Sequence, residues 1–326
     1  MYSTIKYCFR NSSPGPDRIH PARLKHLHPS SIDYLTVLLN KIFFSGICPP
    51  QWKFAHVVPI IKPNSDSTLP TSYRPISLTS VLAKLLEKIL NRRLVWFLES
   101  NSLLDARQYG FRKNHSTSHA LFYLQYEINL AFSNNMELIA IFFDLEKAYD
   151  MTWRHLIYLK MKKHGLTGQL PKYIQSFLSD RTFSVRIGNT FSDTLTLDNG
   201  VPQGSCISVT LFLLAINEIG NNVLSPLTYR IFADDFSLSI RSNNPNRSHR
   251  LLQETLQRIE TWSNENGFRF SSTKTKMIIF RKNRSSPSSP KLKLYGHLIP
   301  IHSELKFLGL LFDNRLSWIP RIYPKS

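Results

Sequence analysis

The run Leu138–Asp144 (LIAIFFD) contains six consecutive apolar residues and then stops abruptly at an aspartate. A run of this length predicts a short strand that is buried on both faces of its sheet. Two more strand-like runs, Leu227–Ala233 and Phe236–Ile240, flank the pair Asp234-Asp235. This pattern predicts a β-hairpin that carries both aspartates at its turn.

Each acidic site has an ordinary explanation when it is taken alone. Asp144 fits a simple strand terminus, and acidic pairs such as Asp234-Asp235 occur in many solvated turns. Adjacent strands lie about 4.8 Å apart, so a hairpin beside the first strand would bring all three carboxylates together. Such a cluster repels itself unless cations fill it, and Mg²⁺ prefers oxygen ligands. The sequence therefore predicts a two-metal site for phosphoryl transfer.

Helical and strand patterns alternate through the rest of the chain. Amphipathic or apolar helix patterns occupy Ser80–Glu99, Thr117–Phe132 and Ser248–Asn264, and later strand patterns occupy Lys276–Phe280 and Leu305–Phe312. Helices mixed with antiparallel strands in this way predict an α+β fold.

The composition indicates a polyanionic partner. Among 326 residues, 41 Lys and Arg stand against 22 Asp and Glu, which gives a formal net charge of +19. Nucleic acid and an acidic membrane surface both fit this charge. The 3 cysteines have no CxxC spacing, which argues against a disulfide framework and a zinc site and favours an intracellular setting. No run approaches the roughly 18 apolar residues of a membrane span.

Ordered motifs resemble those of reverse transcriptases. Phe232–Asp235 (FADD) resembles the F/Y-x-D-D signature, Phe143–Asp150 the first aspartate motif, and Asn199–Ser205 the motif between them. Further matching segments are Gly15–Asp17, Pro59–Pro63, Tyr73–Leu78, Gln108–Arg112 with His115–Thr117, Gly267–Lys276, and Phe307–Gly309, which resembles a primer-grip hairpin. The resemblance covers nearly the whole chain, and it is strongest to the jockey-like, LINE-type enzymes of non-LTR retrotransposons.

The resemblance implies a right-hand polymerase fold with fingers, a palm with an antiparallel sheet, and a thumb that is mostly absent. It implies an N-terminal extension leading into the fingers (residues 1–55), a reverse transcriptase domain (56–312) and a truncated C-terminal tail (313–326). Since no endonuclease, RNase H or zinc-knuckle motif accompanies these segments, we expect the chain to be a fragment of an element.

The resemblance also assigns roles to individual residues. It implies that Asp144, Asp234 and Asp235 are the catalytic metal ligands, with a backbone ligand from either Phe143 or Leu145. The implied substrate-binding residues are Lys62 and Arg74 at the triphosphate, Tyr149 at the sugar 2′ position, Gln203 and Gly204 at the nascent base pair, and Lys274 at the departing pyrophosphate. Without the motifs, Tyr149 would be interpreted as a packed aromatic and the basic residues as solvated surface charges.

The implied function is an RNA-directed DNA polymerase that uses two Mg²⁺ ions, or Mn²⁺, with an RNA template, a DNA primer or target, and dNTPs. Neither a membrane nor a stable protein partner is predicted, and a nuclear or cytoplasmic location stays open. A catalytically impaired nucleic-acid-binding remnant is the main alternative, because Val209 stands where the related motif has proline. An intron-type maturase is a third interpretation, but the segment His115–Thr117 argues against it.

Overall fold

A computed structural model describes residues 1–8, 13–63, 65–282 and 290–317 of the chain. The helices are α1 (Tyr2–Cys8), α2 (Pro21–Lys25), α3 (Pro29–Ser45), α4 (Pro50–Lys53), α5 (Val81–Ser100), α6 (Thr117–Ser133), α7 (Ala148–Met151), α8 (Arg154–Lys163), α9 (Gln169–Leu178), α10 (Cys206–Ile216) and α11 (Pro245–Glu265). The strands are β1 (Phe54–Ile61), β2 (Tyr73–Leu78), β3 (Glu137–Asp144), β4 (Arg181–Ile187), β5 (Thr190–Phe191), β6 (Leu195–Leu197), β7 (Thr228–Phe232), β8 (Asp235–Ser242), β9 (Lys276–Phe280), β10 (Lys293–Leu294), β11 (His297–Leu298), β12 (Ile301–His302), β13 (Glu304–Phe307) and β14 (Leu310–Asp313).

The described elements form two compact units. The first unit comprises Met1–Leu104 and Tyr149–Ala215, and the second comprises Asp105–Ala148 and Ile216–Ser326. The predicted mixture of helices with antiparallel strands is confirmed. Part of the predicted C-terminal tail, residues 318–326, lies outside the described residues.

The first unit contains a sheet in the order β2-β1-β4-β5, with β6 also paired to β4. Strand β1 runs antiparallel to β2 and parallel to β4. Helix α5 matches the helix predicted over Ser80–Glu99, and Leu85, Leu90 and Leu94 of its apolar stripe are fully buried. Burial of this stripe explains why the 3.6-residue periodicity predicted the helix correctly.

The start of α5 explains the segment Gly15–Asp17. The Asp17 carboxylate accepts hydrogen bonds from the Ser80 hydroxyl at 2.7 Å and from the Val81 amide at 2.8 Å. A Cβ on Gly15 would lie 2.2 Å from the Thr79 carbonyl oxygen, so only glycine fits there. The motif therefore caps α5, because an acidic acceptor stabilises the free N–H groups of a first turn.

The second unit is built on a sheet in the order β12-β9-β3-β8-β7. Strand β3 pairs antiparallel with both β8 and β9 and is buried on both faces, as predicted. On one face, Phe142 contacts Phe307 of β13, with ring centroids 4.7 Å apart. On the other, Phe143 packs against Phe236 and Phe270.

The pattern over Leu305–Phe312 suggested a single strand, and this prediction is wrong. The segment forms a hairpin in which Phe307 of β13 pairs with Leu310 of β14. The two turn residues, Leu308 and Gly309, have φ of 47° and 90°. Positive φ at both positions is the conformation of a tight two-residue hairpin turn, and Gly309 adopts it without steric cost. The hairpin implied by the resemblance is thus present in the structure.

Two further findings concern the helices. Val209 lies inside helix α10, so the helix forms without the proline that the related motif carries. In the part of the chain that the structure describes, every helix is too short or too polar to cross a membrane.

Candidate active site

The three predicted aspartates lie at one edge of the second unit's sheet. Strand β3 ends at Asp144 and strand β8 begins at Asp235, and these two residues are paired directly across the strands. Phe232 pairs with Asp235, which leaves Ala233 and Asp234 as the two-residue turn between β7 and β8. Side chains of directly opposed residues point to the same face, with Cβ atoms about 5 Å apart.

Asp235 experiences the charge of this cluster. Its side chain is exposed, yet surrounding protein partly desolvates the carboxyl group and raises its pKa from 3.8 to about 6, with Asp234 and Asp144 adding to the rise. Across the same edge, the Lys274 ammonium lies 3.2 Å from an Asp144 carboxylate oxygen. The Lys274 side chain is largely exposed and that of Asp144 is about half exposed, so solvent screens this ion pair.

The donor set fits a hard divalent cation. Within the described ranges, no group of three or more His, Cys, Asp or Glu side chains is already arranged around a metal position. Mg²⁺ does not require such a cage, because it keeps several waters and binds through one or two carboxylates together with substrate phosphates. A divalent cation would also oppose the two effects that raise the pKa of Asp235, which are desolvation by burial and repulsion from Asp234 and Asp144. Oxygen-only donors favour Mg²⁺ or Mn²⁺ over zinc.

The main chain beside Asp144 is fixed by the loop before β9. The Asp144 carbonyl oxygen accepts a hydrogen bond from the Ser271 amide at 2.8 Å, and the Glu146 amide donates to the Arg269 carbonyl oxygen at 2.9 Å. Leu145 forms an antiparallel bridge with Phe270 between these two bonds. This brings the motif segment Gly267–Lys276 against the end of β3.

Lys62 and Arg74 lie together on the β1–β2 hairpin of the first unit. Arg74 pairs with Ile60, and the Lys62 amide continues the ladder by donating to the Ser72 carbonyl oxygen at 2.8 Å. Because side chains alternate along a strand, Lys62 and Arg74 face the same side of the hairpin. Arg74 is exposed, and the Lys62 ammonium donates to the Thr71 carbonyl oxygen at 2.8 Å.

Tyr149 is half-buried in the first unit and stacks on Phe212, with ring centroids 5.3 Å apart and planes 24° apart. The Tyr149 carbonyl oxygen accepts a hydrogen bond from the Val201 amide at 2.9 Å. A Cβ on Gly200 would lie 2.6 Å from the Asp150 carbonyl oxygen. Tyr149 therefore has a fixed ring and a fixed main chain. Both a packed aromatic and a residue that excludes a substituent at the sugar 2′ position would require this.

Gln203 and Gly204 form a turn held against strand β2. The Gln203 carbonyl oxygen accepts a hydrogen bond from the Ser77 amide at 2.6 Å. Gly204 has φ of 115°, and a Cβ there would lie 2.6 Å from the Ser77 carbonyl oxygen. Glycine is required at this position on both grounds. The close approach that the structure shows is to β2 of the β1–β2 hairpin.

A residue that the sequence analysis missed, Glu87, fixes the end of this turn. It is fully buried on α5, and one carboxylate oxygen accepts hydrogen bonds from the Ser205 hydroxyl and from the Cys206 amide, the latter at 2.9 Å. Cys206 is the first residue of α10, so the carboxylate sits at a helix N-terminus, where negative charge is favoured. The sequence signal that could have identified Glu87 is a glutamate within the leucine-rich stripe of α5.

A buried ion pair supports the strands of the acidic hairpin. Arg230 of β7 is 3% exposed and is bound to the carboxylate of Glu127 from α6. The hydroxyl groups of Thr228 and Ser239 each donate to that same carboxylate at 2.7 Å. Arg230 keeps the pKa of Glu127 below its usual range despite the opposing effect of burial. The pair ties α6 to both strands of the hairpin.

Comparison with known proteins identifies the family. Residues 60–312 match the family model described as reverse transcriptase (RNA-dependent DNA polymerase). The chain belongs to the reverse transcriptase family. It is 33% identical to a probable RNA-directed DNA polymerase from transposon BS of Drosophila melanogaster, over 99% of this chain and 36% of that protein. It is 28% identical to the RNA-directed DNA polymerase from mobile element jockey of the same species, over 94% of this chain and 34% of that protein.

These matches confirm the resemblance to non-LTR retrotransposon reverse transcriptases over nearly the whole chain. The chain spans about a third of the length of these relatives. The fold is similar to that of an apo telomerase from Candida tropicalis truncated from its C-terminal domain. That match has a TM-score of 0.53 at 15% identity and covers 88% of this chain and 59% of that chain. The reverse transcriptase fold predicted from the sequence, a right-hand polymerase fold, is thereby confirmed.

Proposed function

We propose that this chain is the RNA-directed DNA polymerase module of a non-LTR retrotransposon. It would add dNTPs to a primer 3′-hydroxyl, with residues 56–312 as the polymerase domain. The observation that carries the proposal is the pairing of Asp144 with Asp235 beside the Asp234 turn, inside a chain that belongs to the reverse transcriptase family. An acidic edge of this kind is suited to metal-assisted phosphoryl transfer.

Asp144, Asp234 and Asp235 would hold the divalent cations, Mg²⁺ or Mn²⁺. Two ions held there would neutralise charge and activate the attacking hydroxyl, which is most of what phosphoryl transfer requires. The protein's own contribution is rigid placement. Asp144 and Asp235 are fixed by the β3–β8 ladder, and the Asp144 main chain is held by Ser271.

The remaining predicted residues have proposed roles in substrate binding. Lys62 and Arg74, on one face of the fingers hairpin, would bind the triphosphate, because ammonium and guanidinium groups suit phosphate oxygens. Tyr149 would exclude a ribose 2′-hydroxyl with its fixed ring. Gln203 and Gly204 would present main chain to the nascent base pair. Lys274, now paired with Asp144, would assist the departing pyrophosphate.

The charge of the chain supports nucleic-acid partners. A net charge of +19 suits an RNA template and a DNA primer or target, whose phosphates dominate binding energy. Affinity for such a duplex should fall steeply with salt, because each neutralised phosphate releases a counterion.

Primer extension by the purified chain tests the proposal. A DNA primer on an RNA template is incubated with dNTPs and Mg²⁺, using wild type, Asp234→Ala and the exposed control Asp193→Ala. We expect extension by wild type and the control, and a loss on the order of a thousandfold in Asp234→Ala, as for removal of a main electrostatic element of phosphoryl transfer.

Two other outcomes would each carry a clear meaning. Template binding without extension in all three proteins would favour the nucleic-acid-binding remnant and reject polymerase activity for this chain. Equal extension by Asp234→Ala and wild type would reject the role assigned to Asp234.

A further inference from the structure

Gln108 is the first residue of the segment Gln108–Arg112, to which the proposed function assigns no role. Its side chain is 1% exposed. The side-chain oxygen Oε1 accepts hydrogen bonds from the Ala233 amide at 3.0 Å and from the Gly110 amide at 2.8 Å. Both neighbours are N–H donors, so the orientation of the amide group is fixed by chemistry. One side chain thus holds the first residue of the Ala233-Asp234 turn.

The backbone around Gln108 is bound to the same hairpin. The Ile231 amide donates to the Arg107 carbonyl oxygen at 3.0 Å, and the Tyr109 amide donates to the Ile231 carbonyl oxygen at 2.8 Å. Residues 107–109 therefore run parallel to β7, the last strand of the five-stranded sheet. The segment covers an edge that would otherwise expose unpaired main-chain groups.

Gly110 allows this close approach. A Cβ on Gly110 would lie 2.4 Å from the Ala233 nitrogen and 2.9 Å from the Phe232 carbonyl carbon. Real Cβ atoms do not approach main chain so closely, so any side chain here would push the turn away. Gly110 is needed for space, and it lies two residues after Gln108, which supplies the hydrogen bond.

The turn itself needs such support. Ala233 has φ of 57°, a left-handed conformation that costs an L-residue with a Cβ about 1–2 kcal/mol. Strained positions persist when the surrounding structure over-determines them, and they cluster at functional sites. Here the hydrogen bond from the Ala233 amide to Gln108 and the pairing of Phe232 with Asp235 fix both sides of the strained residue.

We propose that Gln108 is a positioning residue that holds the Ala233-Asp234 turn, and with it Asp234 and Asp235, in the geometry needed to bind divalent cations. The role rests on the proposed polymerase function. An amide suits it because it offers an acceptor to two N–H groups without adding a further negative charge beside the aspartates. The second amide atom, Nε2, has no hydrogen-bond partner among the described protein residues.

Three variants test this role. Gln108→Leu removes the acceptor, and Gly110→Ala pushes on the same turn from the neighbouring position. The matched control is Gln253→Leu, since the Gln253 side chain also makes two hydrogen bonds to main chain in the same unit, both to Lys293, at 3.1 and 2.9 Å.

Primer extension at varied dNTP and Mg²⁺ concentrations is the first measurement. We expect Gln108→Leu and Gly110→Ala to lower kcat by on the order of tenfold to a hundredfold, since a displacement of about 1 Å near the reacting groups costs that much. KM for dNTP should change little, and the Mg²⁺ concentration for half-maximal rate should rise. Gln253→Leu should match wild type in all three quantities. Unchanged kcat and Mg²⁺ dependence in Gln108→Leu would overturn the proposal.

Two measurements are independent of activity. Hydrogen exchange should show the Ala233 amide protected in wild type and in Gln253→Leu, and exposed in Gln108→Leu. Titration with Mn²⁺, followed by its paramagnetic signal, should show weaker binding in Gln108→Leu and Gly110→Ala alone.

These readouts separate the two proposals. If wild type does not polymerise but Ala233 exchange and Mn²⁺ affinity change as expected, the positioning role stands and the polymerase function fails. If neither changes, the positioning role fails whatever the activity. Should Gln108→Leu not fold, Gln108→Asn keeps the amide but is one methylene too short, and the same measurements apply.

Discussion

The turn at Asp234 in the second unit and the turn at Gly204 in the first unit are each held by one buried polar side chain, but the two side chains differ in charge. Gln108 is neutral and accepts from the Ala233 and Gly110 amides. Glu87 carries a carboxyl group and accepts from the Ser205 hydroxyl and the Cys206 amide. Each side chain also reaches an amide more than a hundred residues away in sequence, 125 for Gln108–Ala233 and 119 for Glu87–Cys206.

The difference follows from what each side chain faces. Glu87 faces the first amides of α10, where the helix presents partial positive charge. Gln108 faces a turn that already carries aspartates. Another negative charge there would reduce the stability of the folded protein in the absence of metal. The charge of each side chain therefore complements its surroundings. We expect the fold to lose stability when the charge at Glu87 is removed and when a charge is added at Gln108.

The largest effect is expected at Glu87. Glu87→Ala leaves the Cys206 amide and the Ser205 hydroxyl buried without an acceptor, and we expect a loss of about 3 kcal/mol in the free energy of unfolding. Glu87→Gln keeps an acceptor and loses the charge, so about 1 kcal/mol is expected. Urea unfolding followed by circular dichroism measures both values.

The control for this comparison is Glu254→Ala. Glu254 is half-exposed and pairs with Arg258 at 3.0 Å one helical turn away. Such pairs contribute little, so the change should stay within about 0.5 kcal/mol. A Glu87→Ala protein as stable as this control would show that Glu87 does not hold the turn.

Local patterns predicted most of the elements around the site. The apolar run before Asp144 is strand β3, and the runs that flank Asp234-Asp235 are β7 and β8. These elements were predictable because burial requires short uninterrupted apolar runs in the sequence, and the positions of the three aspartates follow from where the strands end.

The supporting side chains were not predictable in the same way. Gln108 and Glu87 act through partners far away in the chain, and a local period carries no information about such partners. The hairpin β13–β14 was missed by pattern because its turn, Leu308-Gly309, is short and half apolar. The motif match did find it. Ordered motifs therefore predicted this hairpin better than periodicity did, while only the three-dimensional structure shows which side chains hold the turns in place.

An intermediate effect is expected when a charge is placed in the second unit's turn. Gln108→Glu introduces a carboxyl group whose pKa should be raised by burial and by the nearby aspartates, with its two N–H donors offsetting part of the rise. A raised pKa in the folded state means that stability is retained while the group is protonated and is lost as pH rises. We expect near wild-type stability at pH 5 and a loss of about 2 kcal/mol at pH 8.

Urea unfolding at the two pH values, with a metal chelator present, checks this expectation. Gln253→Glu serves as the control, because Gln253 is only half-buried and lies on α11, and its pH dependence should follow wild type. Equal losses at pH 5 and pH 8 in Gln108→Glu would show that shape, and not charge, decides the residue at position 108.

The smallest effect is expected at Asp235, and its sign is opposite to that of Glu87. The pKa of Asp235 is raised from 3.8 to about 6, so its folded state binds a proton more tightly than its unfolded state. The ionised carboxylate therefore reduces stability as pH rises through this window. Asp235→Asn removes the penalty and should raise Tm by about 2 °C at pH 7.5 in chelator, a small change because the side chain is exposed and screened. Near pH 4 the two proteins should have the same Tm.

Adding Mg²⁺ should raise the Tm of wild type more than that of the Asp235→Asn variant, since a ligand stabilises the form that binds it. Thermal melts followed by circular dichroism decide the point. If the variant melts below wild type at pH 7.5 without metal, Asp235 stabilises the fold, as Glu87 does. The ionised aspartates of the acidic edge would then not reduce the stability of the metal-free protein.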